Sequence, residues 1–345
     1  MENIFSEQSG SENLKKKVLI LGGAGFIGLN ITRTLVGRPG YEVTIADNFY
    51  RGKQDEYLID LIDNFGVKIV SGDFTMAESF KLLETDYDYV YMLASVVGVE
   101  YTNKIPNELI RINSFLILNT LEWLKVSKCK KVLFTSTSEC YAGTIEEFGY
   151  QVPTDEKVPL CISDISHPRF TYAVTKMLGE SGFLQYAKIF GFECTIVRYH
   201  NVFGPRMGFK HVIPQVVQRF LKNEDPFLIY GYDQTRAFNF IDDAVNGTIL
   251  AMASDKSNGE IFHIGDSNSE ITIEELVRYI GELMQYKGTF AYNEAHSGSV
   301  SRRCPDTSKA KEILGYVPKV NWKEGVKRTV EWYVEYINSG KNIFE

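Results

Sequence analysis

The sequence predicts an α/β fold, in which a doubly wound parallel sheet carries a smaller C-terminal lobe. From Lys17 onward, short apolar segments alternate with longer amphipathic ones, which is typical of βαβ units. After Asn201 this alternation gives way to the loop-like segment NVFGPRMGFK and an isolated apolar run, FLIYG. We therefore expect a flexible tail at residues 1–16, a core domain at residues 17–200 and a smaller lobe at residues 201–345, from which the chain crosses back to the core.

The predicted strands of the core follow one another in a regular order. Each is an apolar run that ends in turn residues and is followed by a helix-like segment. They are VLILGG, YEVTIADN, VKIVSGDF, residues 87–95, residues 131–137 and residues 192–199. In the smaller lobe, PQVVQRFLKN and residues 324–336 have the pattern of helices, and FLIYG has that of a strand.

Composition excludes several classes of protein. The 37 Lys and Arg residues against 44 Asp and Glu give a net charge of -7, whereas a general polyanion binder needs a basic surface, so nucleic acid is not an expected partner. No apolar segment is long enough to span a bilayer, and the first residues lack the apolar stretch of a signal peptide. The five cysteines are scattered without CxxC spacing, so we expect a cytoplasmic protein with no metal site and no membrane partner.

A glycine-rich turn follows the first predicted strand. In GGAGFIG, Gly22, Gly25 and Gly28 have the spacing G-x-x-G-x-x-G, with a strand before and a helix after. The first glycine permits a tight turn, the second lets the main chain approach a pyrophosphate, and the third lets helix and strand pack closely. The phosphates would bind at the positive N-terminus of the helix. The turn therefore predicts a dinucleotide-binding core of the Rossmann type; the alternative is a purely structural turn.

Two aspartates at strand ends indicate which dinucleotide binds. Asp47 ends the second predicted strand, where its carboxylate can accept hydrogen bonds from an adenosine ribose. A 2′-phosphate would be repelled there, which favours NAD over NADP, although Arg51 leaves some room for NADP. Asp73 follows the third strand and is placed to meet the adenine amino group. The alternatives are a capping or turn role for Asp47 and a loop-capping role for Asp73.

A tyrosine and a lysine four residues apart suggest oxidation chemistry. Tyr172 and Lys176 lie in the helix-like stretch FTYAVTKMLGE, so both side chains project from one face. A neighbouring ammonium favours the phenolate, so Tyr172 could take a proton from a substrate hydroxyl. Thr137 and Ser138, at the end of the fifth strand, could hold the same oxygen. The alternatives are an exposed amphipathic helix face and an ordinary Ser/Thr turn.

The motifs GGAGFIG, YMLAS, TSTSECYAG, YAVTK and RYHNVFGPR together resemble those of the extended short-chain dehydrogenase/reductase family of nucleotide-sugar epimerases, dehydratases and decarboxylases. The resemblance implies catalytic roles for Thr137, Glu139, Tyr172 and Lys176. It also implies NAD contacts from Gly22, Gly25, Phe26, Ile27, Gly28, Asp47, Asn48, Asp73, Phe74, Leu93, Ala94, Ser95, Asn113, Tyr172, Lys176 and Tyr199. Implied substrate contacts come from Ser138, Asn201, Arg206, Arg236 and Arg303, with Lys210 and Arg302 as weaker candidates. A homodimer formed through the helices that hold Asn113 and Tyr172 is a further implication.

The reaction is less well defined than the family. Dehydratases of this family usually carry Thr-Asp-Glu where this chain has Thr137, Ser138 and Glu139, so the acid that elimination requires is missing. Thr-Ser-Glu, together with Arg303, resembles uronate decarboxylases. We expect NAD-dependent oxidation at C4 of a nucleotide-diphosphate sugar, giving the 4-keto sugar or its 4-epimer for a surface polysaccharide. The alternatives are a UDP-glucuronate-type decarboxylase and a non-catalytic NAD-binding sensor or scaffold.

Overall fold

The computed structural model describes residues 15–52, 54–295 and 300–340. Most of the expected tail, residues 1–14, lies outside the described residues. The strands in chain order are β1 (Lys16–Leu21), β2 (Tyr41–Asp47), β3 (Lys68–Ser71), β4 (Tyr89–Met92), β5 (Lys131–Thr137), β6 (Glu193–Tyr199), β7 (Val202–Phe203), β8 (Phe227–Tyr230), β9 (Thr235–Ala237), β10 (Asn239–Phe240), β11 (Ile261–Ile264), β12 (Glu270–Thr272), β13 (Phe290–Asn293) and β14 (Arg302–Arg303).

Helices cover both faces of the main sheet. In chain order they are α1 (Phe26–Val36), α2 (Glu56–Phe65), α3 (Val99–Lys104), α4 (Pro106–Leu124), α5 (Ala142–Phe148), α6 (Thr171–Phe190), α7 (Val212–Leu221), α8 (Ile241–Ala253), α9 (Ile273–Leu283), α10 (Ser308–Leu314) and α11 (Trp322–Asn338). Val18 and Ile20 of β1 belong to the same core cluster as apolar residues of α1 and α8. Leu19 and Leu21 belong to a second cluster with α4 and α6. The alternation along β1 thus buries both faces of the sheet.

The main sheet has seven strands in the order β11-β6-β5-β4-β1-β2-β3, and every pair within it is parallel. This arrangement confirms the predicted doubly wound fold of the Rossmann type, including all six strands expected in the core. The chain reverses its direction of winding between β1 and β4, and ligands of such sheets bind at the carboxyl ends of the strands beside that point. The glycine turn, Asp47 and Thr137 all follow or end strands on this edge.

The smaller lobe consists of short sheets and helices. β9 pairs with β12 and β14, β7 pairs with β10, and β8 pairs with β13. Helices α7, α9 and α11 pack against one another beside these strands. The chain returns to the core from this lobe, because α8 packs on α1 and β11 pairs with β6. Within the part of the chain that the structure describes, no helix is both long and apolar enough to cross a membrane.

Candidate active site

A cleft of about 750 Å³ lies between the carboxyl edge of the sheet and the smaller lobe. With the exception of Asn113, every site residue predicted from the sequence lines this cleft. These residues are Gly22, Gly25, Phe26, Ile27, Gly28, Asp47, Asn48, Asp73, Phe74, Leu93, Ala94, Ser95, Thr137, Ser138, Glu139, Tyr172, Lys176, Tyr199, Asn201, Arg206, Arg236 and Arg303. The weaker candidate Lys210 also lines the cleft, whereas Arg302 lies outside it and forms an ion pair with Glu270.

The glycine turn has the shape that a pyrophosphate requires. Gly22 has a φ of +82°, and a Cβ there would lie 2.6 Å from the main-chain nitrogen of Ala94. A Cβ on Gly28 would lie 2.5 Å from the carbonyl oxygen of Gly22, so a side chain would separate the helix from the turn. A Cβ on Gly25 would meet only that same oxygen, at 3.3 Å. Because no side chain caps the N-terminus of α1, this turn fits a dinucleotide pyrophosphate.

Asp47 connects the glycine turn to the second strand. Its two carboxylate oxygens accept hydrogen bonds from the main-chain N–H groups of Ala24, at 3.0 Å, and Phe49, at 2.9 Å. Burial raises the pKa of Asp47. Asp73 accepts hydrogen bonds from the N–H and the hydroxyl of Thr75, so it caps its own loop while it lines the cleft. Both carboxylates therefore shape the adenosine end of the cleft, and both retain lone pairs for further donors.

Two predicted ligand contacts are bonded to the protein itself. Arg206 is buried, and its guanidinium donates to Asp55, at 2.5 Å, and to the carbonyl oxygen of Ala24, at 3.2 Å. The donors of this side chain are thus used within the protein, beside the glycine turn, and not on a substrate. Asn113 lies behind the cleft, where its amide donates to the carbonyl oxygen of Val96 and accepts from the N–H of Val96. It therefore holds the main chain of the loop after β4.

Tyr172 and Lys176 both project from α6 into the cleft, as predicted. The ammonium of Lys176 donates to the carbonyl oxygen of Thr135 at 2.8 Å and lies 5.7 Å from the centre of the Tyr172 ring. Burial lowers the pKa of Lys176 to about 8 and raises the pKa of Tyr172. Burial thus dominates the pKa of the phenol in the protein alone, and the acidification expected from Lys176 is not found. The hydroxyl of Thr137 accepts from the N–H of Glu139 at 3.3 Å, which leaves its proton free to donate.

A cluster of charged side chains lies at the end of the cleft beyond Thr137. Arg303 donates to Glu139 at 2.7 Å, and the guanidinium of Arg169 lies 3.9 Å from the same carboxylate oxygen. Although burial favours the neutral acid, Arg303, Arg169 and Arg236 together hold the pKa of Glu139 at about 2. Burial, followed by the charge of Arg303, lowers the pKa of Arg236 to about 9. Glu139 is therefore ionised and cannot serve as a general acid.

Three buried guanidinium nitrogens of this cluster lack a hydrogen-bond partner among the described residues. They are Nε of Arg169 and both Nε and Nη2 of Arg303. The three guanidinium groups outnumber the two carboxylates whose charges act on them, Glu139 and Glu146, so the cluster carries an excess of positive charge. Buried donors without partners are costly, and an anion in the cleft would satisfy them. Arg169 was not predicted as a site residue; its place three residues before Tyr172 is the signal in the sequence that could have identified it.

A pair of histidines lies behind the charged cluster. The Nε2 of His200 lies 2.9 Å from the Tyr141 hydroxyl, and the ring centres of His200 and His263 are 4.9 Å apart. Both rings are fully buried, and burial lowers their pKa values, so both are neutral. Among residues 15–52, 54–295 and 300–340, no group of three or more potential ligands is placed to hold a metal ion.

Comparison with known proteins agrees with this geometry. A model of the NAD dependent epimerase/dehydratase family matches residues 18–265. A UDP-N-acetyl-alpha-D-glucosaminuronate decarboxylase from Bacillus cytotoxicus is 37% identical over 335 residues, which are 94% of this chain and 100% of that protein. A putative UDP-glucose 4-epimerase from Methanocaldococcus jannaschii is 30% identical over 319 residues, 91% of this chain and 97% of that protein. The crystal structure of a UDP-glucuronic acid 4-epimerase from Bacillus cereus, with UDP-glucuronic acid and NAD, has a TM-score of 0.82 at 26% identity, covering 92% of this chain and 99% of that one.

Proposed function

This chain belongs to the NAD-dependent epimerase/dehydratase family, and from that premise we propose that it oxidises C4 of a UDP-linked uronic acid and releases the C6 carboxylate as CO₂. It is an NAD-dependent enzyme of nucleotide sugars, so the alternative of a non-catalytic NAD-binding sensor or scaffold is wrong. The observation that carries the proposal is the buried pair of Glu139 and Arg303 beside Thr137, with guanidinium donors left over for an anion. The resemblance of the chain to a uronate decarboxylase supports it.

The cofactor would be held by the elements that fit it. The glycine turn and the uncapped N-terminus of α1 would bind the pyrophosphate, and Asp47 would accept hydrogen bonds from the adenosine ribose. Bound NAD⁺ supplies the hydride acceptor for C4, and its oxidised ring adds a positive charge to the cleft. Such a charge opposes the effect of burial on the phenol, so it favours the ionised form of Tyr172.

Tyr172 and Thr137 would act on the same substrate oxygen. Ionised Tyr172 takes the proton of the C4 hydroxyl as the C4–H bond is broken, which leaves a ketone at C4. Thr137 donates a hydrogen bond to that oxygen throughout. Lys176, whose ammonium is fixed on the carbonyl of Thr135, would hold the nicotinamide ribose and keep a positive charge near Tyr172.

The ketone makes loss of CO₂ feasible. A carboxylate at C6 is β to the C4 carbonyl, so the C5–C6 bond can break with its electron pair moving to the C4 oxygen. Tyr172, now protonated, and Thr137 stabilise the enolate that forms. A proton from water would then add to C5, which restores the ketone at C4. Return of the hydride to C4, with the proton of Tyr172 passing back to the C4 oxygen, would give a UDP-pentose. Ionised Glu139 keeps Arg303 in place beside this reacting carboxylate.

Epimerisation at C4 of a uronic acid is the second candidate. It requires the same oxidation but keeps the carboxylate and returns the hydride to the opposite face of C4. The structural similarity to a UDP-glucuronic acid 4-epimerase favours it, and the sequence alone placed simple oxidation or epimerisation ahead of decarboxylation. We propose the reverse order because Thr137, Ser138 and Glu139, together with Arg303, resemble the uronate decarboxylases, and because the 37% identical relative from Bacillus cytotoxicus is such a decarboxylase.

Product analysis separates these reactions. The purified enzyme is incubated with UDP-glucuronate and with UDP-N-acetylglucosaminuronate, each labelled with ¹³C at C6. We expect labelled CO₂ and a UDP-pentose, identified by mass spectrometry, and at least about 100-fold slower product formation by Tyr172→Phe. A product of unchanged mass with inverted C4 would assign the epimerase instead. A neutral UDP-hexose turned over in preference to both uronates would refute either uronate reaction.

We also propose a cytoplasmic homodimer. Helices α4 and α6 pack on each other, and they expose Phe115, Leu118 and Leu178 to 45%, 43% and 41%. A partner that covered these three side chains would remove their apolar surface from water. Light scattering of Phe115→Glu should then give the mass of a monomer. All five cysteines are unpaired, which supports a reducing compartment. Surface polysaccharide synthesis remains the expected pathway.

A further inference from the structure

The guanidinium of Arg169 occupies a defined position that the fold prepares. It lies in the short turn Pro168–Phe170 that leads into α6. The main-chain N–H of Arg169 donates to Nδ1 of His167, and Phe170 is buried against Ala142 and Val300. These contacts fix the backbone on both sides of the residue. The side chain of Arg169 is only 12% exposed and lines the cleft, so it points inward and not toward solvent.

The contact between Arg169 and Glu139 does not account for this burial. Their closest atoms are 3.9 Å apart, which is too long for a hydrogen bond. Glu139 is instead bonded to Arg303 at 2.7 Å. The buried Nε of Arg169 has no partner among the described residues. An anion from outside the protein would balance the excess positive charge and accept hydrogen bonds from the guanidinium donors that have no partner.

The order of residues on the elements decides which anion this is. Arg169 precedes Tyr172 by three residues, and Glu139 follows Thr137 by two. Tyr172 and Thr137 act at C4 under the proposed function, so Arg169 lies at the C4 side of the sugar ring. C5, which carries the carboxylate of a uronic acid, is bonded to C4. The diphosphate is attached at C1, across the ring from C4.

We propose that Arg169 is a specificity-determining residue that binds the C6 carboxylate of the sugar, together with the free donors of Arg303. This inference rests on the proposed function for the orientation of the sugar. Arg236 is left out of this carboxylate site, because its guanidinium already donates to the carbonyl of Thr235, at 2.7 Å, and to the side chain of Gln234, at 3.0 Å, the two residues that precede it in the chain. A planar guanidinium matches a carboxylate better than an ammonium does.

Binding measured without turnover tests this role. Tyr172→Phe serves as the background, and Arg169→Gln, Arg169→Lys and Arg33→Gln are added to it singly. Arg33 is an exposed arginine of α1 and controls for the loss of one positive charge. Calorimetry then gives the Kd of UDP-glucuronate and of UDP-glucose, which lacks the carboxylate. The thermal midpoint of each variant shows whether it is folded.

We expect Arg169→Gln to raise the Kd of UDP-glucuronate by about 10- to 100-fold, as for a lost charged hydrogen bond. The Kd of UDP-glucose should change by less than about twofold. Arg169→Lys should recover part of the loss, and Arg33→Gln should change neither ligand. Equal weakening of both ligands would place Arg169 at the diphosphate and overturn the inference, as would no change in either. Selective weakening in an enzyme that releases no CO₂ would keep this inference and refute the proposed decarboxylation.

Discussion

Replacement of Glu139 by glutamine should destabilise the protein by about 3 kcal/mol. The pKa of this carboxyl lies at about 2 instead of its ordinary value of 4.5. At about 1.4 kcal/mol for each pKa unit, that difference corresponds to roughly 3 kcal/mol of folding free energy. The folded pKa is the lower one, so this stabilisation is complete above pH 4.5 and is lost as the pH falls toward 2.

Glu139→Gln keeps the shape of the side chain and removes its charge. It leaves Arg303 buried without a counter-ion, and the loss of one partner of a buried ion pair commonly costs about 3–5 kcal/mol. Urea unfolding should therefore give a lower free energy for the variant, by a constant amount between about pH 5 and about pH 8, because Glu139 is ionised throughout that range. CO₂ release should also fall, because Arg303 loses the contact that positions it.

Two controls make this measurement decisive. Glu78→Gln removes an exposed carboxylate that is paired with Lys81, and should change stability by less than about 0.5 kcal/mol. Arg303→Met in the Glu139→Gln background removes the unpaired charge. The double variant should therefore lose less unfolding free energy than the sum of the losses in the two single variants. If the unfolding free energy of Glu139→Gln lies within about 1 kcal/mol of that of the wild type, the assignment of a strong buried ion pair is refuted.

Three further changes have expected outcomes. Tyr172→Phe should retain NAD, measured by mass after denaturation, while turnover falls by about 10²- to 10⁴-fold; turnover within tenfold of the wild type would exclude Tyr172 as the base. Gly25→Ala should purify without NAD. Its unfolding free energy, measured in urea, should fall by no more than about 1 kcal/mol, because the added Cβ meets only the carbonyl oxygen of Gly22. Retained NAD would argue against a pyrophosphate at this turn. Arg206→Gln breaks the buried ion pair with Asp55, so it should lower the unfolding free energy by about 3 kcal/mol and speed NAD dissociation in stopped-flow measurements. An unchanged dissociation rate would show that Arg206 does not support the glycine turn in NAD binding.

Local patterns predicted the parts of the fold that depend on local order. Apolar runs and turn residues place Gly22, Asp47 and Thr137 at strand ends, and the parallel arrangement then brings them to one edge of the sheet. The four-residue spacing of Tyr172 and Lys176 needs only a helix to put both side chains in the cleft. The strand β11 was missed, because IFHI is short and carries a buried histidine, His263, that masks its apolar character.

Contacts between distant segments could not be read from the sequence. Arg303 is separated from Glu139 by 164 residues, and Arg206 from Asp55 by 151. An isolated arginine in a sequence fits a ligand contact, an internal ion pair or an exposed position equally well. The direction of the Tyr172 pKa shift was wrong for a related reason. Burial, which raises this pKa, depends on every segment that surrounds the phenol, whereas the four-residue spacing identifies only one neighbour.

The position of β11 has a consequence for how the protein is made. A nascent chain that has emerged only to residue 200 still lacks β11, so β6 presents an open edge that another chain could pair with. The groove on α1 that α8 covers would also stay unfilled until residue 253 is free of the ribosome. Folding of the first half is therefore completed by the second, and a truncated fragment intended to carry only the dinucleotide would aggregate.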